Sequence, residues 1–210
     1  MARPPDADSA ATYDRIVTVT QALIAEHGVS AVSLRRVAKE SGQSLGAITY
    51  YFESRSGLLE ASLDASYEWM RAEVRDAIGR IRAGEDLQEV VEQFVRHLFT
   101  KARTHQEVLR TRNLTTMSAG ALPKSRLAGE LAPQLEKVAK ALGGDEGKSR
   151  RDAKLRLAAH TLELIVVRYA LHTDDELRSI TNLDDLGDAL AVVQEHLVRL
   201  SLDGFRAALA

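Results

Sequence analysis

The sequence predicts an all-α protein: an N-terminal three-helix helix-turn-helix domain followed by a larger helical domain, about nine helices in total. Apolar residues recur three and four positions apart along most of the chain, and no stretch alternates with the period of two that a strand requires. Only four prolines interrupt 210 residues, and the segments between them are rich in Ala, Leu, Arg and Glu, the strong helix formers. The apolar fraction of 45 % is ordinary for a chain that buries a core.

Several classes of protein are disfavoured at once. The chain has no cysteine, which removes disulfides, thiol catalysis and cysteine-ligated metal. No window approaches the ~18 continuous apolar residues of a membrane span. The histidines (His27, His97, His105, His160, His172 and His196) form no HExxH or paired spacing. No serine sits in a Gly-x-Ser-x-Gly elbow, and no Gly-rich loop follows a strand. Neither an enzyme nor a cofactor is indicated. Residues 1–11 lack an apolar segment and read as a flexible N-terminal arm rather than a secretory leader, so a cytoplasmic location is expected.

The first helix, Thr12–His27, sets Ile16, Val19, Leu23 and Ile24 at helical spacing and closes at Gly28. Ser33 then caps a helix whose inner face is Leu34, Val37, Ala38 and Ser41, with Arg35, Arg36, Lys39 and Glu40 outside. Gly42 suits the left-handed exit from that helix. Ser44 caps a second short helix that buries Ile48 and Phe52 and leaves Gly46, Ala47, Thr49, Tyr50 and Tyr51 on its other face. That face is small, hydroxylated and almost uncharged, which lets a backbone approach the floor of a groove while the phenols reach phosphates. The formal net charge of the chain is −2, but four cations against two acids from Ser33 to Arg55 leave this stretch locally positive.

The helical domain, 56–210, opens with one long helix from Ser56 to Ile81, capped by Ser54. Asp86–His105, Gln106–Ala119, Ser125–Leu142 (restarted or kinked at Pro133), Lys148–His172 and Asp184–Leu209 follow. Lys148–His172 is apolar on two faces, one carrying Leu155, Leu162, Ile165 and Tyr169 and the other Leu157, Leu164, Val167 and Leu171, so it needs two neighbours. Leu186, Leu190, Val193, Leu197 and Leu200 are spaced four, three, four, three, the seam of a helix pair.

Residues 16–59 resemble the N-terminal domain of TetR-family transcriptional regulators. The resemblance rests on Gly28, Ser33, Val37-Ala38, Gly42-Gln43-Ser44, Ile48-Thr49-Tyr50-Tyr51-Phe52, Ser54-Arg55 and Leu58-Leu59, in register over about a fifth of the chain. Gln43 stands where an apolar Val is usual, and Thr49 where the family usually has a DNA-contacting Tyr. The resemblance implies a helix-turn-helix domain over 12–55 and a dimer on a palindromic DNA operator. Ser33, Arg35, Arg36, Ser44, Tyr50, Tyr51 and Arg55 would lie on phosphates, and Gly46, Ala47 and Thr49 would face bases. Leu45 has two readings: its spacing to Ile48 and Phe52 suits burial, while its place in the family pattern is base-facing.

The same seams can serve one intramolecular core, whereas the resemblance implies that the last two helices pair with their copies as a four-helix bundle, through Leu155, Leu162, Ile165, Tyr169, Leu186, Leu190, Val193, Leu197 and Leu200. It also implies a small-molecule effector among the middle helices, with Phe94, His97, Leu98, Arg110, Asn113, Met117, His160, Glu163 and Val167 as candidates. Polar groups such as His160 and Glu163 on apolar helix faces are costly to bury without a partner. The competing reading is a helical protein–protein adaptor or small-molecule carrier that does not bind DNA, favoured by low basicity and by Thr49. Retention on heparin that is lost as salt rises separates the two.

Overall fold

The structure, a computed structural model, describes residues 7–65, 67–118, 127–144 and 149–210. Among them there is no strand, and no helix long and apolar enough to cross a membrane. Helix α1 (Ala7–His27) starts ahead of the expected Thr12, so Ala7–Ala11 is helical; Met1–Asp6 lie outside the described residues. A 3-10 turn, Val29–Ala31, leads into α2 (Leu34–Ser41), α3 (Leu45–Phe52) and α4 (Arg55–Ala65). Ile16, Ile24, Val37, Ile48 and Leu58, all fully buried, form the centre of the N-terminal core. Burial of this kind stabilises by about 1.5–3 kcal/mol per large aliphatic side chain, and it holds helices of eight residues that would not persist alone.

The single helix expected over 56–81 is two helices, α4 and α5 (Glu68–Arg82), broken at Tyr67. Neither proline nor glycine marks the break. Side-chain packing supports it instead: the buried Tyr67 ring lies 3.4 Å beneath the Arg112 guanidinium. The Asp64 carbonyl, which a continuous helix would pair with residue 68, accepts from Tyr67 N at 3.1 Å and from Arg71 Nη2 at 3.0 Å.

Helix α6 (Leu87–Thr104) is capped by Asp86, whose carboxylate accepts from the backbone of Gln88 and Glu89; α7 (Gln106–Ser118) follows directly. A π-turn, Leu127–Leu131, runs into α8 (Ala132–Ala141), with Pro133 in its first turn where no N–H is missed. Helix α9 (Arg150–Ala170) is capped by Ser149 and α11 (Leu186–Leu209) by Asp185. Between them, α10 (Asp174–Thr181) is a helix that hydrophobic periodicity did not predict. Its signal is a capping box, in which Thr173 accepts from Glu176 N and Glu176 accepts from Thr173 N. Arg103 ties α10 back to α6 through Asp174. The all-α class and the expected count of about nine helices hold, with the split at Tyr67 and α10 as the additions among the described residues.

In the second domain α6, α9 and α11 pack against one another, with α5 on α6 and α8 on α9. Leu98, Phe99, Leu155 and Leu197 sit at the centre of this core. That placement divides the residues expected at the dimer face between the core and the surface. Leu155 and Leu197 are 0 % exposed, and Leu162 and Val193 are nearly as buried, so they serve the chain's own core. Ile165, Tyr169, Leu186 and Leu190 are half-buried, and Leu200 faces outward. On α9 the stripe carrying Leu157 and Leu164 is the one left exposed, because the Leu155–Leu162–Val166 side meets α6 and α11.

One helix serves both domains. Val108 of α7 is buried in the N-terminal core, while its neighbour Leu109 is buried in the C-terminal core.

Candidate functional site

The helix-turn-helix forms as its capping residues dictate. Ser33 Oγ accepts from Arg36 N at 3.2 Å and Ser44 Oγ accepts from Ala47 N at 3.0 Å, each satisfying a free amide at a helix start. Gly42 takes φ 69°, a conformation costly for a residue with a Cβ, and the Gln43 amide closes the turn on Ala38 O at 3.0 Å. Gln43 is half-buried there and leaves the turn geometry intact.

With Ile48 and Phe52 buried, the outer face of α3 consists of Leu45, Gly46, Thr49 and Tyr50. Leu45 is 43 % exposed, which decides its two readings in favour of the outward one, and Tyr50 is 82 % exposed. Ala47 and Tyr51 are half-buried. Tyr51 packs edge-on against Tyr13 and Tyr50, and its hydroxyl is 2.9 Å from Ser9 Oγ, so α1 fixes its direction. The Thr49 hydroxyl donates to Leu45 O at 2.9 Å; engaged within its own helix, it leaves the methyl as the group free for a base contact. Arg36 is paired with Glu40 at 2.9 Å, whereas Arg35 and Lys39 are exposed and carry no ion pair among the described residues. Lys39, beside the reading helix, was not among the candidates; its outward position on α2 was the available signal.

Arg55 has a role that its sequence position did not suggest. Its Nε donates to Val32 O at 2.7 Å and its Nη2 to Val29 O at 2.7 Å, clamping the start of α4 to the 3-10 turn. Arg55→Ala is therefore expected to lower stability by about 1–3 kcal/mol, as charged donors to carbonyls do, which thermal denaturation would register. If the clamp is its main role, the salt dependence of DNA affinity will keep its slope; a slope lower by about one charge would assign Arg55 to phosphate instead.

The middle helices border two spaces that share one lining residue, Glu163. An inner chamber of about 70 Å³ lies between α5, α6, α8, α9 and α11, walled by apolar side chains except for Gln134 and Glu163. An outer groove of about 600 Å³ runs over α7 and α9, lined by Tyr67, Arg110, Asn113, Leu114, Glu163, Leu164, Val167, Arg168 and Leu171. The expected effector residues thus divide. Phe94 and Leu98 line the chamber, Arg110, Asn113 and Val167 line the groove, and Glu163 lines both. His97 belongs to neither: it points outward, 3.7 Å from Glu73 on α5. His160 is half-buried and lines neither space, while its Nδ1 is enclosed without a hydrogen-bond partner. The Met117 side chain lies outside the described residues. Met70, Val74 and Ile78 also line the chamber; a cavity lining and a core stripe have the same helical spacing, so sequence does not separate them.

Burial pushes the Glu163 carboxyl above the usual carboxylate range, and the charges of His160 and Arg112 offset this only in part. At low pH the group is protonated in folded and unfolded chains alike and costs nothing. As pH rises past the ordinary carboxyl range, the unfolded chain ionises first and stability falls until the folded-state pKa is passed. Glu163→Gln is accordingly expected to raise Tm at neutral pH, with the gain shrinking toward zero in acid. A pH series of melts checks both the sign and the window.

The structure thus presents a capped helix-turn-helix with an exposed, nearly uncharged second helix, joined through α7 to a helical domain that borders a chamber. Residues 16–62 match the family model for bacterial regulatory proteins, tetR family. The match spans α1 to α4, so it is the N-terminal domain of this chain that is similar to the family.

Among its relatives, "Probable HTH-type transcriptional regulator YttP" of Bacillus subtilis (strain 168) is 27 % identical over 99 residues, 47 % of this chain. The match spans about half of that relative's length, 47 %. The fold is shared more widely. Thermus thermophilus FadR, a TetR-family transcriptional repressor solved in complex with lauroyl-CoA, superposes with a TM-score of 0.59 at 19 % identity, over 91 % of this chain and 94 % of that one. A chain from Mesorhizobium loti assigned to the TetR family reaches a TM-score of 0.68 at 14 % identity, over 96 % and 98 %.

Proposed function

We propose that the protein is a homodimeric, sequence-specific DNA-binding transcriptional regulator: a cytoplasmic repressor that binds a palindromic operator and leaves it when a small-molecule effector occupies the middle helices. The observation that carries this reading is the outer face of α3, where Leu45, Gly46, Thr49 and Tyr50 are exposed around a buried Ile48–Phe52 anchor. Such a face suits close approach to base edges, with an Ala, Thr or Leu methyl meeting a thymine methyl. Arg35, Lys39, Tyr50, Tyr51 and the caps Ser33 and Ser44 flank it and would position the helix on phosphates.

The second copy would dock on the outward face of α9 and α11. Leu157, Thr161, Ile165, Leu200, Gly204 and Ala207 share one shallow depression there, and Tyr169, Ile180, Val192 and His196 share the next. A twofold pairing of this face would give two reading helices spaced for half-sites about one turn of DNA apart, ~34–36 Å. An effector is consistent with the chamber and groove, and the Thermus neighbour holds lauroyl-CoA. By linkage the effector must favour a conformation that fits DNA poorly, by ~1–3 kcal/mol.

The test is selection of bound sequences from a random DNA pool with the purified protein. The expected product is a palindrome with half-sites about one helical turn apart. A folded dimer that enriches no sequence and is not retained on heparin would favour the adaptor or carrier instead.

A further inference from the structure

Glu163 is the one residue shared by the inner chamber and the outer groove among their lining residues. The chamber beside it is apolar, with Met70, Val74, Ile78, Phe94 and Leu98 on its α5 and α6 walls. Among the described residues no hydrogen bond or ion pair reaches the Glu163 carboxyl. Of the cations nearby, Arg110 and Arg112 are already held by protein groups, Arg168 is exposed on the groove's α9 wall, and His160 offsets the Glu163 charge only in part. Arg110 donates to Leu171 O at 2.8 Å and to Glu107 at 3.2 Å. Arg112 lies over the Tyr67 ring, 3.7 Å from Asp64 and 3.5 Å from Glu130. The half-buried Glu163 thus places a carboxyl group with no ion pair among the described residues between the groove and the apolar chamber.

Resting on the effector-released reading above, we propose that the effector is an amphiphile with a cationic nitrogen head, the nitrogen pairing with Glu163 and the apolar body entering the inner chamber. A buried carboxylate without a partner is costly, and a cation that brings its own apolar body restores the pairing without exposing the site to water. The raised pKa of Glu163 has the same cause, burial without sufficient compensating charge.

The chamber's present volume of about 70 Å³ is well below the ~300–1,000 Å³ of an occupied ligand pocket. Entry must therefore part the helices that wall the chamber. The displacement has a route to the DNA-binding domain: Tyr67, which lines the groove with Glu163, lies under Arg112, and Arg112 lies beside Asp64 in the last turn of α4. The same helix begins with the Arg55 clamp on the DNA-binding domain. Binding and the change felt at the reading helix would be one event.

A matched decyl series tests this: decylammonium, decanoate and 1-decanol titrated calorimetrically into the full chain, below micellar concentrations. Decylammonium is expected to bind about tenfold or more tightly than the other two. Glu163→Gln should erase that preference and Glu163→Asp retain it, with thermal melts confirming that both variants are folded. Equal affinities, preference for the carboxylate, binding by none of the three, or a preference that survives Glu163→Gln would each overturn the proposal. Operator retention on the same preparation keeps the two readings apart. Binding to DNA without decylammonium binding leaves the regulator and removes this effector class. Glu163-dependent binding of decylammonium without DNA binding does the reverse.

Discussion

Leu157→Asp is expected to yield a folded monomer with an operator affinity lower by roughly a hundredfold or more. Leu157 is 65 % exposed on α9 and Leu200 is 42 % exposed on α11, and both line the same depression. Neither side chain is needed by the chain's own core, so helix content by circular dichroism should be unchanged. In a twofold pair each change occurs twice, and every copy replaces about 1.5–3 kcal/mol of apolar burial with a carboxylate that has no partner. Loss of bivalent attachment alone typically lowers avidity by about 10²–10⁴-fold. Light scattering at micromolar protein reads the first effect and a titration of the selected DNA the second. A variant that stays dimeric would place the interface elsewhere.

Gly57→Ala is expected to cost on the order of 3 kcal/mol, as overpacking against atoms that cannot yield does. A Cβ at residue 57 would lie 2.3 Å from Phe52 O, a backbone atom. The corner it occupies has no slack. Glu53 already takes φ 58°, Ser54 N donates to Phe52 O at 2.5 Å, and Ser54 Oγ accepts from Gly57 N at 3.1 Å. For a chain of this length the change corresponds to a Tm lower by about 6–12 °C. Because the corner joins the reading helix to α4, DNA binding should fall even at temperatures where the variant is folded. A melt together with an affinity measurement well below Tm would show both, and a Tm within a degree of the parent would refute the steric argument.

The helix-turn-helix was legible because its signals are local. Ser33, Gly42 and Ser44 act on amides two or three residues away, and one-residue-wide features of that kind survive in a sequence. The break at Tyr67 was not legible, since it depends on Arg112 from α7 lying over the ring, a contact between residues far apart in the chain. Which apolar stripe faces the core was not legible for a related reason. Helix α9 carries two apolar stripes, and only the packing of α6 and α11 decides that Leu155 goes inward and Leu157 outward. Helix α10 did have a local signal, the Thr173–Glu176 box, but its single buried leucine, Leu177, is too little for hydrophobic periodicity to register. Glu163 was recognisable as an anomaly on an apolar helix. That it stands between two spaces follows from the arrangement of helices around it.

The position of Val108 in the N-terminal core bears on any attempt to exchange reading heads among relatives of this protein. A graft cut at the end of α4 would leave behind a side chain that the transplanted core expects from α7. The recipient's own residue at that position, shaped for a different core, would take its place. Chimeras should therefore carry position 108 with the head they import, and leave Leu109 with the body it already serves.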